Sequence, residues 1–352
     1  LSYRSIAVEE VLRHDSLRLY RDINTPWTTM DEHPWLEAAA RFSSVIQPRC
    51  HERIGRPADV DGDGTFALVI TPAVSWLDTH SGPPLRGYTR PADFQSEIEP
   101  PFGNGSDVAF VSPELVNAAE CDAVLAHEYV HAVSFSVRAR RGLASEESWL
   151  NEAIAHAGEE ALGCNDANVS SRHAAFWNGP ENAPLVLDSQ QAARNWRVPA
   201  SRGAASLFMR YCLRQHGVGS LRRLIHSPHV GVTNVTTALE APFGDVFRSW
   251  TLSEAAARFE HLSPTSASAS ATLTRTVTQT VRVRGTAVAF VRLSADTRCD
   301  DRVPVVLKNR IEVRGEAGGA WQFSILQRQM AGDDPSGIAL VDRPTATQSL
   351  GR

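Results

Sequence analysis

Two histidines four residues apart, His127 and His131, enclose Glu128 in the run Leu125-Ala126-His127-Glu128-Tyr129-Val130-His131. On a helix such a pair projects from one face, one turn above the other, so both imidazoles can reach a single metal ion. Glu128, about 100° round the helix from His127, places a carboxylate beside that ion without ligating it. There it can take a proton from a water at the metal and pass it to a leaving group. A catalytic zinc needs a third protein ligand and an open position for water. Glu152, in the downstream run Ser148-Trp149-Leu150-Asn151-Glu152, is the best candidate, because a loop around residues 142–147 can fold a second helix back against the first. Ala126, Val130 and Val133 place the histidines on an apolar, buried face, where unpaired His and Glu would be costly. Exposed surface histidines are the competing reading.

A second acidic group, Asp59, Asp61 and Asp63 followed by Gly64, matches the start of a calcium loop. Ile70 stands where an EF-hand-type loop carries its bidentate Glu, and a tight Asp/Gly turn before a strand explains the same residues. Both readings stand. Glu159 and Glu160 lie about two turns past Glu152, where they face the site or cap a solvated helix end. His216, His226, His229 and His261 fall near predicted helix ends, where imidazolium interacts well with the dipole.

These residues need elements to carry them. The segment from Pro113 to Arg140 repeats Val124, Leu125, Val130, Val133 and Phe135 on a helical face. Further helices are predicted at about 147–163, 203–216 and 242–260. Residues 5–22 and 34–47 also read as helices, the second from Trp35, Leu36, Ala39, Phe42 and Val45. FALVIT at 66–71, GYT at 87–89 and DVAFV at 107–111 suit strands of a small sheet. SPTSASASAT at 263–272 is polar and low in complexity, as a linker is. Beyond it TRTVTQTVRVRG, VPVVLKNRIEVRG and AWQFSILQRQ alternate like strands.

The 352 residues carry 42% hydrophobic and 21% charged side chains, ordinary globular usage, and leave room for two domains. A net charge of −5 and the absence of a basic run with interleaved aromatics argue against nucleic-acid binding. The longest apolar stretch, from Phe66 to Val74, is too short to span a membrane. Cys50, Cys121, Cys164, Cys212 and Cys299 have no metal-binding spacing and permit at most two disulfides.

The motifs together resemble the gluzincin peptidases, and more closely the hyicolysin-type metallopeptidases. The likeness runs through DVDGDGTFALVIT, Gly87-Tyr88, DVAFVSPEL, LAHEYVHAVSF, ESWLNEAIAHAGEEALG, GAASLFMRYCLRQHG and FGDVFRSWTLS, about residues 55–255. The resemblance implies an α+β fold: a zincin-like catalytic domain over 1–262, with a small sheet and a helical active-site part. The linker 263–272 and an all-β, sandwich-like domain over 273–352, read from composition and strand alternation and not covered by these motifs, complete the expected organisation. The resemblance also implies a secreted or periplasmic zinc endopeptidase acting on protein or peptide, with His127, His131 and Glu152 as ligands and Glu128 as base.

Two positions depart from the family's pattern. Many relatives carry an Asp four residues after the ligand Glu, where it orients a ligand His; here His156 stands there. Several carry a Tyr before a basic-Gly-Ala run to stabilise the oxyanion, whereas this chain reads Ala200-Ser201-Arg202-Gly203-Ala204. Tyr129, Arg202 and His173 are the substitute donors. These departures leave two other functions open. One is a degenerate homologue that keeps its metal for stability or works as a binding module; the other is a zinc hydrolase of a non-peptide substrate.

Overall fold

In the computed structural model, described for residues 5–25, 29–77, 84–95, 97–115, 117–164, 166–187, 198–260, 286–288, 325–328 and 338–341, a five-stranded sheet leads into a helical half. The chain opens on a hairpin of β1 (Val8–His14) and β2 (Leu17–Asp22), where a helix is expected over 5–22. The reason is visible in β2: Leu17 and Leu19 are buried and alternate with the less buried Arg18 and Tyr20, a period of two. The spacing of Val8, Val11 and Leu12 mimics a helix and hides this.

The predicted 34–47 helix starts earlier and runs longer. Helix α1 (Thr29–Arg41) continues through a π-helical turn (Phe42–Ile46) into α2 (Gln47–Arg53). Trp35, Ala39 and Phe42 pack inward, while Leu36 remains exposed. Strand β3 (Phe66–Ile70) returns parallel to β2, β5 (Val108–Val111) lies parallel to β3, and β4 (Gly87–Thr89) closes the order β1-β2-β3-β5-β4 antiparallel to β5. The pairing Gly87 with Val111 and Thr89 with Ala109 sets Gly87 and Thr89 on one face of β4, Tyr88 on the other.

Helix α3 (Ala118–Arg140) is capped by Asn117, whose side chain accepts from the Glu120 amide, and it is buried along most of its length. It packs on the sheet at β4 and β5 and on α1. Helix α4 (Ser148–Leu162) folds back against it and stops at Gly163, which takes the left-handed conformation. Then come α5 (Ser170–Trp177), α6 (Pro199–His216), α7 (Gly219–His226), α8 (Gly231–Leu239) and α9 (Phe243–Glu260). Of these, α5, α7 and α8 are too short to stand out in the sequence. One core joins both halves, with Tyr129, Leu125, Leu150, Phe208 and Trp250 among its largest buried members.

The expected linker 263–272 and most of the expected β module 273–352 lie outside the described residues. Within them, β6 (Ile325–Arg328) and β7 (Ile338–Val341) pair antiparallel. Residues 286–288 dock on the helical half: the Leu185 amide donates to Thr286 O at 3.1 Å, and the Val288 amide to Pro180 O at 3.3 Å. Among the described residues Cys50, Cys121, Cys164 and Cys212 are free thiols, each pushed up to about 12 by burial. No helix among them is long and apolar enough to cross a membrane.

Candidate metal centre

Helices α3 and α4 bring His127, His131 and Glu152 together. The two Nε2 atoms lie 3.1 Å apart; Glu152 Oε2 is 3.4 Å from His127 Nε2, and Glu152 Oε1 is 3.8 Å from His131 Nε2. Donors sharing a tetrahedral ion at 2.0–2.1 Å stand about 3.3 Å apart, so the trio has the spacing of a zinc cage. Both histidines are buried, and Glu152 is partly so. Burial holds His127 down to about 3 and His131 well below its ordinary value, which keeps both rings neutral as ligands must be.

Each ring is held from its other nitrogen. His127 Nδ1–H donates to Glu159 Oε1 at 2.7 Å, leaving Nε2 as the lone-pair nitrogen facing Glu152. His131 Nδ1 lies 3.0 Å from the Asn151 side-chain nitrogen, and Asn151 Oδ1 has no partner among the described residues. Turning the amide over puts Oδ1 on His131 Nδ1–H, which leaves Nε2 as that ring's lone-pair nitrogen. Phe135 stacks flat on the His131 ring, 5.7 Å between centroids at 7°.

Glu128 is buried against β4. Thr89 Oγ1 donates to Glu128 Oε2 at 2.7 Å, and Gly87 lies so close that a Cβ there would stand 2.5 Å from Glu128 Oε1. Burial raises the Glu128 carboxyl to about 7, and the Thr89 bond opposes that shift. The edge strand therefore fixes the carboxylate, and Gly87 makes the room for it. Neither Gly87 nor Thr89 stands out by chemical type; the β4–β5 register selects them.

Arg202, in the first turn of α6, contacts Glu152 Oε2 from the side of α6. Desolvation lowers its guanidinium to about 10, with Glu128 opposing. Of the other proposed donors, Tyr129 points the opposite way. Its hydroxyl meets His51 Nε2 at 2.7 Å, and its ring packs edge-on against Phe42 and Phe66, so the expectation that it faces the site is corrected. Residues 127, 128 and 131 share a helix with it, but the aromatic slot beneath the sheet captures the phenol. His173 Nε2 lies 3.0 Å from Ser206 Oγ, between α5 and α6.

His156, which stands where relatives carry the orienting Asp, turns to Glu159. Its Nδ1 lies 2.8 Å from Glu159 Oε1, which also accepts from Asn168 Nδ2 at 2.9 Å. Glu159 is thus buried at the centre of the network and not at a solvated helix end. Its seven-residue spacing from Glu152 is the available signal, since two turns of helix return to the same face. Glu160 instead pairs with Arg210 at the surface.

The ligand atoms of Asp59, Asp61 and Asp63 also cluster, in an exposed turn. Their oxygens accept from that turn's own amides, Gly64 to Asp59 at 3.2 Å and Thr65 to Asp63 at 2.7 Å, and Arg18 sits 2.9 Å from Asp63. This is the hydrogen bonding of a tight Asp/Gly turn.

No protein-family model matches this chain. Over 128 residues the chain is 28% identical to the neutral metalloprotease ShpI of Staphylococcus hyicus, a match covering 34% of this chain and 28% of that protein. The chain thus spans under a third of the length of that relative, and the likeness is a distant one to a metalloprotease.

Proposed function

We propose that the protein is a zinc-dependent hydrolase, and specifically a metalloendopeptidase with His127, His131 and Glu152 as ligands and Glu128 as general base. The observation that carries this reading is the convergence of two neutral imidazoles and one carboxylate at zinc-cage spacing, with a second, non-ligating carboxylate fixed beside them. The distant likeness to a metalloprotease supports the reaction class. When bound, zinc supplies Lewis acidity that polarises a scissile carbonyl and brings a water's pKa towards about 7.

The chain's own residues do the rest. Glu128 takes the water's proton on the oxygen not held by Thr89 and returns it to the leaving amine. Arg202 supplies positive charge where the carbonyl oxygen becomes negative, in place of the phenol that related peptidases use. An extended substrate lies along β4, the last strand in the sheet order, so that its backbone is held by strand addition beside Gly87 and Thr89.

Glu128→Gln is the direct test. The variant is expected to bind one zinc per chain as the wild type does and to cleave casein or a peptide library roughly 10²–10⁴-fold more slowly. Cleavage that persists after chelation, or a variant of full activity, would overturn the reading. One zinc per chain with no cleavage of any peptide would instead favour a metal-stabilised binding module or a non-peptide substrate.

A further inference from the structure

We propose that Glu159 is the positioning residue that holds His127 for the metal, and that His156 and Asn168 brace Glu159 and do not themselves orient a ligand. The inference rests on the zinc reading above. A ligating histidine needs its second nitrogen fixed by an acceptor, which sets both the tautomer and the ring plane. Related peptidases place a carboxylate for this purpose one turn after the ligand Glu, and this chain has His156 there. The carboxylate has moved one turn further along α4. Residues 152, 156 and 159 share one helical stripe, so a single helix offers both the third ligand and the anchor of the first.

Three donors converge on one oxygen of Glu159: His127 Nδ1 at 2.7 Å, His156 Nδ1 at 2.8 Å and Asn168 Nδ2 at 2.9 Å. The Glu159 side chain is 2% exposed and that of His156 0%, so no water competes for that oxygen from the bulk. The His156 ring lies 4.5 Å from the His127 ring by centroid, filling the space through which a shorter carboxylate at 156 would have reached. His127, His156 and Glu159 could also be read as a second metal cage. Their separations decide against it: tetrahedral donors on one ion at 2.0–2.2 Å keep about 3.3–3.6 Å between them, and 2.7 and 2.8 Å are hydrogen-bond lengths. The cluster is an anchor.

The experiment measures zinc affinity by competition with a chromophoric chelator, alongside thermal melting of the metal-free protein. Glu159→Gln keeps the shape but weakens the acceptor, and is expected to bind zinc roughly 10–100-fold less tightly, with little change in metal-free melting. The visible bands of the cobalt(II)-loaded protein should shift as the His127 ring loses its anchor. The double variant His156→Asp/Glu159→Gln returns a carboxylate to the earlier turn and should recover most of the affinity. A Glu159→Gln protein that binds zinc as tightly as the wild type overturns the inference. If that variant does not fold, Asn168→Ala decides: it removes only a brace, and unchanged zinc affinity overturns the inference where a loss of about threefold or more supports it. A wild-type chain that binds no zinc defeats the functional reading itself, which separates the two failures.

Discussion

His51 and Tyr129 show how one hydrogen bond in the interior couples this protein to pH. The half-buried His51 ring meets the Tyr129 hydroxyl at 2.7 Å, and burial, reinforced by the Arg56 charge, lowers the ring to about 4 from an ordinary value of 6.5. The folded chain therefore holds this proton less readily than the unfolded one. The stability that comes from the neutral ring is whole above about pH 6.5 and drains away as the pH falls towards 4. His51→Gln can still bond the phenol but cannot titrate. Its urea-unfolding stability should fall less than that of the wild type between pH 6.5 and 4; parallel curves would show that His51 makes no difference there.

At the level of elements, the site depends on how closely α4 approaches α3. They pack tightly at Gly158, where a Cβ would stand 2.6 Å from Val130 Cγ2 and 3.3 Å from Val130 Cβ. Val130 is branched and held between its neighbours, so it cannot yield as the tip of a long side chain would. In Gly158→Ala, overpacking of about 1–3 kcal/mol opposes a helix-propensity gain of about 1 kcal/mol. A net loss of up to about 2 kcal/mol is expected in chemical denaturation, and zinc binding should weaken with it because Glu152 and Glu159 move with the helix. A stabilised variant would mean the helices are free to part. The turn into α4 is fixed separately: Glu146 accepts from the Gly231 amide at 2.7 Å and from Asn234 Nδ2 at 2.6 Å, with Arg138 of α3 at 3.5 Å. That buried junction of α3, the loop and α8 fixes how α4 sits against α3.

On the scale of the whole molecule, residues beyond the boundary expected near 262 touch the helical half. Thr286 and Val288 run beside Pro180–Val186, with a Val186 amide donating to Thr286 Oγ1 at 2.9 Å besides the two backbone bonds. Val288 also packs against the core. A chain ending at residue 262 should consequently be less stable than one ending at 290, by about 1–2 kcal/mol for the few bonds lost, read as a lower melting temperature. Equal melting temperatures would show that the segment contributes nothing to the stability of the helical half. Both chains should bind zinc equally, since every proposed ligand lies on α3 and α4.

The sequence by itself singled out His127, Glu128 and His131 and the helix that carries them, because periodicity and a five-residue spacing are local properties of a chain. It also located β3, β4 and β5, whose β-branched and aromatic residues sit between turn formers. It misjudged residues 5–22, where 3- and 4-residue spacing of apolar side chains coincided with a strand alternation that only pairing with β3 selects. Tertiary structure alone decided which carboxylate anchors His127, that Tyr129 faces the aromatic slot and that Arg202 meets Glu152. It also made Gly87 and Thr89 the neighbours of Glu128, through a strand register nearly forty residues away in the chain. Such assignments depend on which faces of separate elements meet, and burial then sorts donors from acceptors. No count along one strand of sequence carries that information.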